Sequence, residues 1–218
     1  MENNQRKRFK ISKFKFLLRI LKNPFPSDDM QQYYDSSFYH WIDRIHKGQK
    51  EEQERISKIV DGLDDEIAEI YAEDYFKAAE VSGLMFAALT VAMWSNIEIF
   101  MGRLIRICEE AGKDPFKGDH HKINDVNPYF YEKLNISLKK LRCSDIANAL
   151  RVMSNSFKHN NGRYHADKFP IDGSIKRKYS IEENRPIEYE KLPFEDLIKG
   201  CYEFCNDLET QVRTSIDN

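Results

Sequence analysis

The feature that most constrains the fold is a helical pattern of apolar residues in the first half of the chain. Apolar residues between positions 56 and 71 recur at intervals of three or four, or sit side by side, which gathers them on one face of an α-helix. The next stretch, Leu84–Trp94, is apolar except for Thr90. This run is too short to span a bilayer and predicts a buried core helix. We expect helices over about 51–76 and 81–110.

Other segments extend this prediction to an all-α fold. Further helices are expected over about 27–47, 129–141, 145–158 and 194–214. Gly48 is expected to end the first of these. Residues 163–192 lose helical periodicity and predict a short irregular insertion or hairpin, with strand-like alternation over Lys176–Ile181. We therefore predict an up-and-down bundle of four to five helices over residues 49–218, preceded by an N-terminal helical arm over residues 1–48.

The arm has a charge that the total conceals. Residues 1–22 contain eight Lys or Arg and one Glu, a net charge of +7. The whole chain carries −2, so the remaining residues carry −9. Apolar and basic side chains separate from Phe14 onward, as in a basic amphipathic helix. Such a helix can bind RNA phosphates, an anionic membrane surface or an acidic protein face, and its wide apolar arc favours the last two.

Cysteine spacing and absent motifs exclude several classes of protein. The four Cys residues show no CxxC spacing and no secretory signal is visible, which predicts reduced thiols and a cytoplasmic location. No phosphate-binding loop supports nucleotide hydrolysis. His120 and His121 are adjacent, but no further ligand stands at a suitable spacing. We predict no metal site and no cofactor.

The segment 145–162 is the most informative for function. A helix over 145–158 has a core face and a polar face. Arg can hold a phosphoryl oxygen with two hydrogen bonds, and His can move protons near neutral pH. The two together suffice for metal-free cleavage of RNA by its own 2′-hydroxyl. The alternative is an ordinary solvent-exposed polar helix face with no catalytic role. The core face comprises Ile146, Ala149, Leu150, Met153 and Phe157, and the polar face comprises Asn148, Arg151, Asn155 and His159.

Residues 154–163, Ser-Asn-Ser-Phe-Lys-His-Asn-Asn-Gly-Arg, resemble the signature of HEPN-domain proteins. In that family an Arg-Asn pair is followed by three residues, a His and often Asn-Gly. The resemblance covers about residues 50–215 and includes two long helices ahead of the motif helix. It implies a helical bundle, a homodimer and, in many members, a metal-independent endoribonuclease of toxin–antitoxin, anti-phage or RNA-processing systems.

The resemblance also implies roles for individual residues. His159 and Asn155 match the motif directly, and Glu98 occupies the place of a polar or acidic residue that faces the family's site. Ser154 stands where the family has Arg, so Arg151 is the candidate substitute. In this scheme His159 is the general acid or base, Arg151 stabilises the phosphorane and Asn155 orients either group. RNA binding is expected of Lys158, Asn160 and Arg163.

Two functions remain open at this point. One is a metal-independent endoribonuclease in stress or anti-phage defence, acting on RNA with an antitoxin or another defence-system partner. The other is a catalytically inactive HEPN-like binding or assembly module, acting through protein, RNA or membrane-surface contacts. Ser154 in the expected Arg position favours the second function.

Overall fold

The computed structural model describes residues 39–61, 63, 65–120 and 122–217, with the backbone alone for 39 and 65–79. The basic helix expected within residues 1–22 lies outside this range. Within it the chain forms six α-helices and no strand, which confirms the all-α prediction. The helices are α1 (Tyr39–Val60), α2 (Asp65–Glu110), α3 (Ile123–Leu134), α4 (Ser144–Asn160), α5 (Gly173–Lys178) and α6 (Phe194–Asp217).

The first two helices begin and end at other residues than the pattern predicts. Helix α1 continues through Gly48, where an added Cβ would meet nothing within 4 Å. The expectation that Gly48 ends a helix is therefore wrong. Ion pairs between residues four apart, Lys47–Glu51 and Lys50–Glu54, each at 3.9 Å, flank this glycine and support the helix. Helix α2 is continuous over 46 residues, so the interruption expected between 76 and 81 is also absent.

Helix α3 begins earlier and ends earlier than the expected 129–141. It starts at Ile123 and continues through Pro128, although proline lacks the N–H for one helical hydrogen bond. Its C-terminal cap is Asn135, whose left-handed backbone donates its N–H to carbonyls of the last turn. A short 3-10 turn, Leu138–Lys140, then leads to α4.

The second half of the chain follows the prediction more closely. Helices α4 and α6 occupy the expected segments, extended by a few residues. The hairpin expected over Lys176–Ile181 is wrong, because α5 covers the first half of this segment and no strand forms among the described residues. Asp172 caps this helix by accepting a hydrogen bond from the Ser174 N–H at 2.7 Å. The insertion before α6 is otherwise irregular, with an isolated antiparallel bridge between Arg163 and Pro186.

The chain divides into two compact units. The first contains Ser95–Ser144 together with the described residues after Lys199, and it has an apolar core from α2, α3 and α6. Burial raises the pKa of the Cys108 thiol to about 12 in this core. None of the four cysteines, all of them among the described residues, forms a disulfide, which agrees with the reduced thiols that the sequence predicts. The aromatic ring of Tyr129 packs edge-on against Phe116 and Phe130, and its hydroxyl donates to the Asp114 carbonyl at 3.1 Å.

The second unit contains α1, the first part of α2 up to Trp94, and residues Asp145–Lys199. Phe86 lies in its core without exposed surface. The Phe86 ring stacks on Phe194 and is tilted against His46, both at 5.1 Å between ring centroids. These contacts join α1, α2 and the start of α6 around one buried aromatic group. The helix that carries the candidate site, α4, belongs to this unit.

Helix α2 is more apolar over a longer stretch than the run Leu84–Trp94 indicates. By length and composition alone, Glu80–Glu110 is long and apolar enough to cross a membrane. Half of its most apolar stretch is buried inside the protein, as in the core helix of a bundle. Met93, Ile97 and Ile105 have no exposed surface at all, which agrees with the central position predicted for this helix.

Candidate functional site

The two faces of α4 are arranged as the helical wheel predicts. Ile146, Ala149, Leu150 and Met153 are buried, and Phe157 is half-buried. On the other face Asn148, Arg151 and Asn155 are half-buried, and His159 in the last turn is exposed. The sequence therefore placed the core face and the polar face of this helix correctly.

Ser154 lies on the buried side of α4. Its exposed fraction is 0%, and its hydroxyl has no hydrogen-bond partner among the residues that the structure describes. This is the position at which the HEPN-like motif has Arg. A guanidinium at this fully buried position would lose its hydration, and the desolvation of one buried ion costs several kcal/mol. The backbone around Ser154 thus suits a small side chain and excludes an exposed arginine.

Arg151, the candidate substitute, forms hydrogen bonds with a residue one turn closer to the N-terminus of α4. Its Nε and Nη2 atoms both donate to Asn148 Oδ1, at 3.1 and 2.9 Å. Side chains on a helix lean towards its N-terminus, and eight residues span about 12 Å along the axis. The guanidinium of Arg151 therefore points away from His159 within one chain. Burial lowers the pKa of Arg151, but an arginine remains charged at neutral pH.

A tight turn follows His159 and ends α4. Asn161 and Gly162 both have left-handed backbone conformations, with φ of 51° and 76°. The Gly162 N–H donates to the Ser156 carbonyl at 3.0 Å, which closes the end of the helix. The next residues then pair with the segment 184–187 through backbone hydrogen bonds such as Ile187 N–H to Gly162 O at 2.9 Å. The Asn-Asn-Gly sequence thus fixes the direction in which the chain leaves α4.

Basic side chains from the insertion return to this turn. The Lys168 ammonium donates to Asn160 Oδ1 at 3.1 Å. The Lys176 ammonium lies 4.8 Å from the ring centroid of Tyr164, which is itself fully buried. Lys158 and Arg163 are exposed on either side of the turn. We call Lys158, His159, Arg163, Lys168 and Lys176 the α4-end surface.

The local charge of this region is opposite to that of the body. Residues 158–178 contain six Lys or Arg and two Asp, whereas residues 23–218 as a whole carry −9. A local excess of positive charge attracts anions even on a protein of negative net charge. The α4-end surface therefore has the charge and the exposed donors to bind phosphate groups.

The remaining predicted site residues differ in burial, in hydrogen-bond partners and in the unit to which they belong. Asn155 lies one turn before His159 on the polar face of α4 and is half-buried. Asn160 is half-buried, and its side-chain nitrogen has no partner in the described structure. Glu98 is half-buried on α2, within the first unit, whereas the α4 residues belong to the second. The Arg163 Nη1 atom donates to the Asn184 carbonyl at 3.0 Å, which steadies this side chain beside the turn.

One cluster near the turn gave no signal in the sequence. His165, Asp167 and Glu183 each offer a metal-ligating atom, and these atoms lie within 4.8 Å of one another. The segments that hold them are joined by backbone pairing rather than by a regular element. Their irregular spacing matches no metal-binding motif, so the residues meet only in the folded chain.

The first unit contains a cavity. A cavity of about 650 Å³ opens between residues 114–118 and the start of α3. Lys133 and Asp114 form an ion pair of 2.8 Å at its wall. This pair holds the pKa of the Asp114 carboxyl below its usual value and raises that of Lys133. His120 lies nearby, with its ring 4.7 Å from Phe116 between centroids.

Comparison with known proteins found no matching family model, curated protein or solved structure.

Proposed function

We propose that this protein is an HEPN-like RNA-binding protein that holds RNA at the α4-end surface without cleaving it. The observation that carries the proposal is that two lysines of the insertion contact the end of α4 and the residues just after it. Lys168 bonds the last turn of α4, and Lys176 lies over the ring of Tyr164, two residues after Gly162. Lys158 and Arg163 are exposed in the same stretch of chain. We further propose that the protein is cytoplasmic.

The absence of cleavage is proposed from the position of the arginine. A cleaving site needs a cation that stabilises charge on the phosphorane close to the proton-transferring histidine. In the described structure the family's arginine position is occupied by the buried Ser154, which carries no charge. The Arg151 guanidinium donates to Asn148, so it does not reach His159 within one chain. Arg163 Nη1 donates to the Asn184 carbonyl, and in this proposal Lys158 and Arg163 bind phosphates along the RNA strand.

A homodimer is also proposed, since the resemblance implies one. Two protomers would bring two α4-end surfaces to the same RNA, and such linked sites raise the overall affinity. An antitoxin or another defence-system protein is the proposed partner. The residues 1–48 are proposed to contact that partner or an anionic membrane surface. Light scattering on the purified full chain measures the oligomeric state, and a monomer at all concentrations contradicts the dimer.

The binding proposal is tested by fluorescence anisotropy with a mixed-sequence single-stranded RNA in EDTA. The variant Lys158→Gln/Lys168→Gln removes two charges from the α4-end surface. Its matched control is Lys139→Gln/Lys140→Gln, which removes two exposed charges from the 3-10 turn in the first unit. The basic N-terminal residues are unchanged in both, so their contribution to binding cancels.

We expect the first double variant to bind more weakly than the control and to show a smaller salt dependence. Four phosphate contacts predict a loss of about fifty-fold in affinity between about 50 and about 200 mM salt for a single strand. Removing two of them reduces this loss to about seven-fold. Equal affinity and equal salt dependence for the two double variants overturn the proposal.

A metal-independent endoribonuclease is the second candidate function. It is favoured by His159, which is exposed in the last turn of α4 and directly precedes the Asn-Asn-Gly turn. In this function His159 transfers the proton, Asn155 orients it, and an Arg151 from a second protomer completes the site. RNA cleavage in EDTA, with cyclic-phosphate product ends and its loss in His159→Ala, establishes this function and excludes the non-cleaving one.

A further inference from the structure

The cluster formed by His165, Asp167 and Glu183 lies in the segment that follows the α4 turn. It offers one imidazole nitrogen and two carboxylate oxygens, and all three atoms lie within 4.8 Å of one another. A single ion bound at about 2.1 Å to each atom requires them to be about 3.5–4 Å apart. Small side-chain rotations close the remaining difference, because His165 is only half-buried and the two carboxylates are exposed.

The backbone holds the three ligands in register. The Ala166 N–H donates to both carboxylate oxygens of Glu183, at 3.1 Å each. Ala166 lies between His165 and Asp167 in the sequence, so these hydrogen bonds hold Glu183 beside the other two ligands. Residue Tyr164 forms backbone hydrogen bonds of 3.2 and 2.9 Å with Arg185 and Asn184. The Phe169 N–H closes the loop by donating to the His165 carbonyl at 3.0 Å. Hydrogen bonds to a ligating carboxylate and a fixed loop are the usual supports of a metal site.

The charges around the cluster favour a cation. Asp167 is followed in sequence by Lys168, and Glu183 lies two residues before Arg185, but both basic residues make other contacts. The Lys168 ammonium donates to Asn160, and the Arg185 Nε lies 3.9 Å from Glu182. Among the described residues, no Lys or Arg forms an ion pair with Asp167 or Glu183. Within the part of the chain that the structure describes, these two neighbouring carboxylates therefore have no Lys or Arg to neutralise them.

We propose that His165, Asp167 and Glu183 bind one divalent transition-metal ion of the zinc, cobalt or manganese class. Mixed imidazole and carboxylate ligands suit these ions, whereas calcium and magnesium prefer oxygen ligands alone. Three protein ligands leave at least one coordination position for water. Bound metal joins residues 165–167 to the turn at residue 183, and so stiffens the loop that carries Lys168.

This inference is independent of the proposed RNA binding, which is measured in EDTA. The test uses the full chain purified without a polyhistidine tag, titrated with Co²⁺ alone and followed by its visible absorption. Zn²⁺ is then added to displace the cobalt. The ligand variants are His165→Gln and Glu183→Gln, since Gln in place of Glu183 retains an acceptor for the Ala166 N–H. The matched controls are His40→Gln on α1 and Glu182→Gln, both at exposed positions.

We expect about one equivalent of Co²⁺ to bind the wild-type chain and to be displaced by Zn²⁺. Loss of one ligand should weaken binding by at least about ten-fold, while both control variants bind within about two-fold of wild type. Circular dichroism of each variant checks that it is folded, so that lost binding is assigned to the lost ligand. Absence of the cobalt absorption at saturating Co²⁺, or equal affinity in ligand and control variants, overturns the proposal.

Discussion

The two faces of α4 differ in what holds their residues in place. Leu150 and Met153 on the core face have no exposed surface, and their positions follow from helical periodicity alone. The polar face and its last turn depend on groups from elsewhere, such as Lys168, which reaches Asn160 from the following insertion. The core face therefore contributes chiefly to stability, and the end of the polar face to binding. The following predictions test this division, beginning with the largest expected change.

Placing the motif arginine at its family position should destabilise the fold more than any other change considered. Ser154→Arg buries a charge at a position with 0% exposure, and we expect a loss of at least about 4 kcal/mol in the free energy of unfolding. Urea denaturation followed by circular dichroism measures it. Ser154→Ala is the matched control and should remain within about 1 kcal/mol of wild type. A Ser154→Arg variant with wild-type stability would show that this position is exposed in solution.

Truncation on the core face should cost less than a buried charge but far more than truncation at the exposed end. Leu150→Ala removes a fully buried side chain, and we expect a loss of about 3 kcal/mol from lost burial and the remaining cavity. Lys158→Ala, two turns later and exposed, should change stability by less than about 0.5 kcal/mol. The same denaturation experiment compares them. Equal losses in the two variants would contradict the division into a core face and a binding end.

One hydrogen bond connects the core face to the insertion, and its removal should have an intermediate effect. The Tyr189 hydroxyl donates to the Met153 carbonyl at 2.8 Å in a buried position. Tyr189→Phe should lose about 1 kcal/mol of stability. Tyr131→Phe, whose side chain is exposed, is the control.

The pH dependence of stability gives an independent measure of the same contact. Burial raises the pKa of Tyr189 above its usual value of 10.0. The folded chain therefore keeps this proton at a pH where the unfolded chain loses it. This contribution is complete below pH 10 and is lost as the pH rises further. In Tyr189→Phe the free energy of unfolding should fall less steeply with pH above pH 10 than in wild type. An equal slope in the two proteins would show that Tyr189 ionises freely in the folded protein.

The smallest effect is expected for a hydroxyl on the buried side of α4. Ser156 is fully buried, and its Oγ atom has no partner in the described structure. Ser156→Ala removes an unsatisfied polar group and introduces a better helix former, so stability should stay the same or rise by about 0.5 kcal/mol. Thermal unfolding detects this change. A loss of more than about 1 kcal/mol would indicate that a water molecule bonds this hydroxyl.

The sequence was sufficient for the helices with strong periodicity and insufficient where local signals compete. The pattern predicts that Gly48 ends a helix and that the next helix after the α2 segment begins only at residue 129. Gly48 and Pro128 nevertheless both lie within helices, at exposed positions. Ser154 falls at 300° on a wheel that places Arg151 at zero, between the two faces, so periodicity alone did not decide its burial. The structure places it on the buried side.

The candidate metal ligands were beyond prediction for a different reason. His165 and Glu183 approach each other through an isolated bridge and a few backbone hydrogen bonds between irregular segments. Such pairing leaves no period in the sequence, since it involves three or four residues on each side. The same applies to Lys168, whose contact with Asn160 depends on the direction of the turn after α4.

The hydrogen bond that closes this turn also affects how the protein ages. Asn-Gly is the dipeptide most prone to deamidation, because the glycine nitrogen attacks the asparagine Cγ, the Cγ–Nδ2 bond breaks, and a succinimide forms with release of ammonia. In the folded chain the Gly162 N–H is held by the Ser156 carbonyl at 3.0 Å, which restrains this nitrogen. Deamidation of Asn161 should therefore be slow in the native state and fast after unfolding. Mass spectrometry of stored protein then reports how often the end of α4 opens.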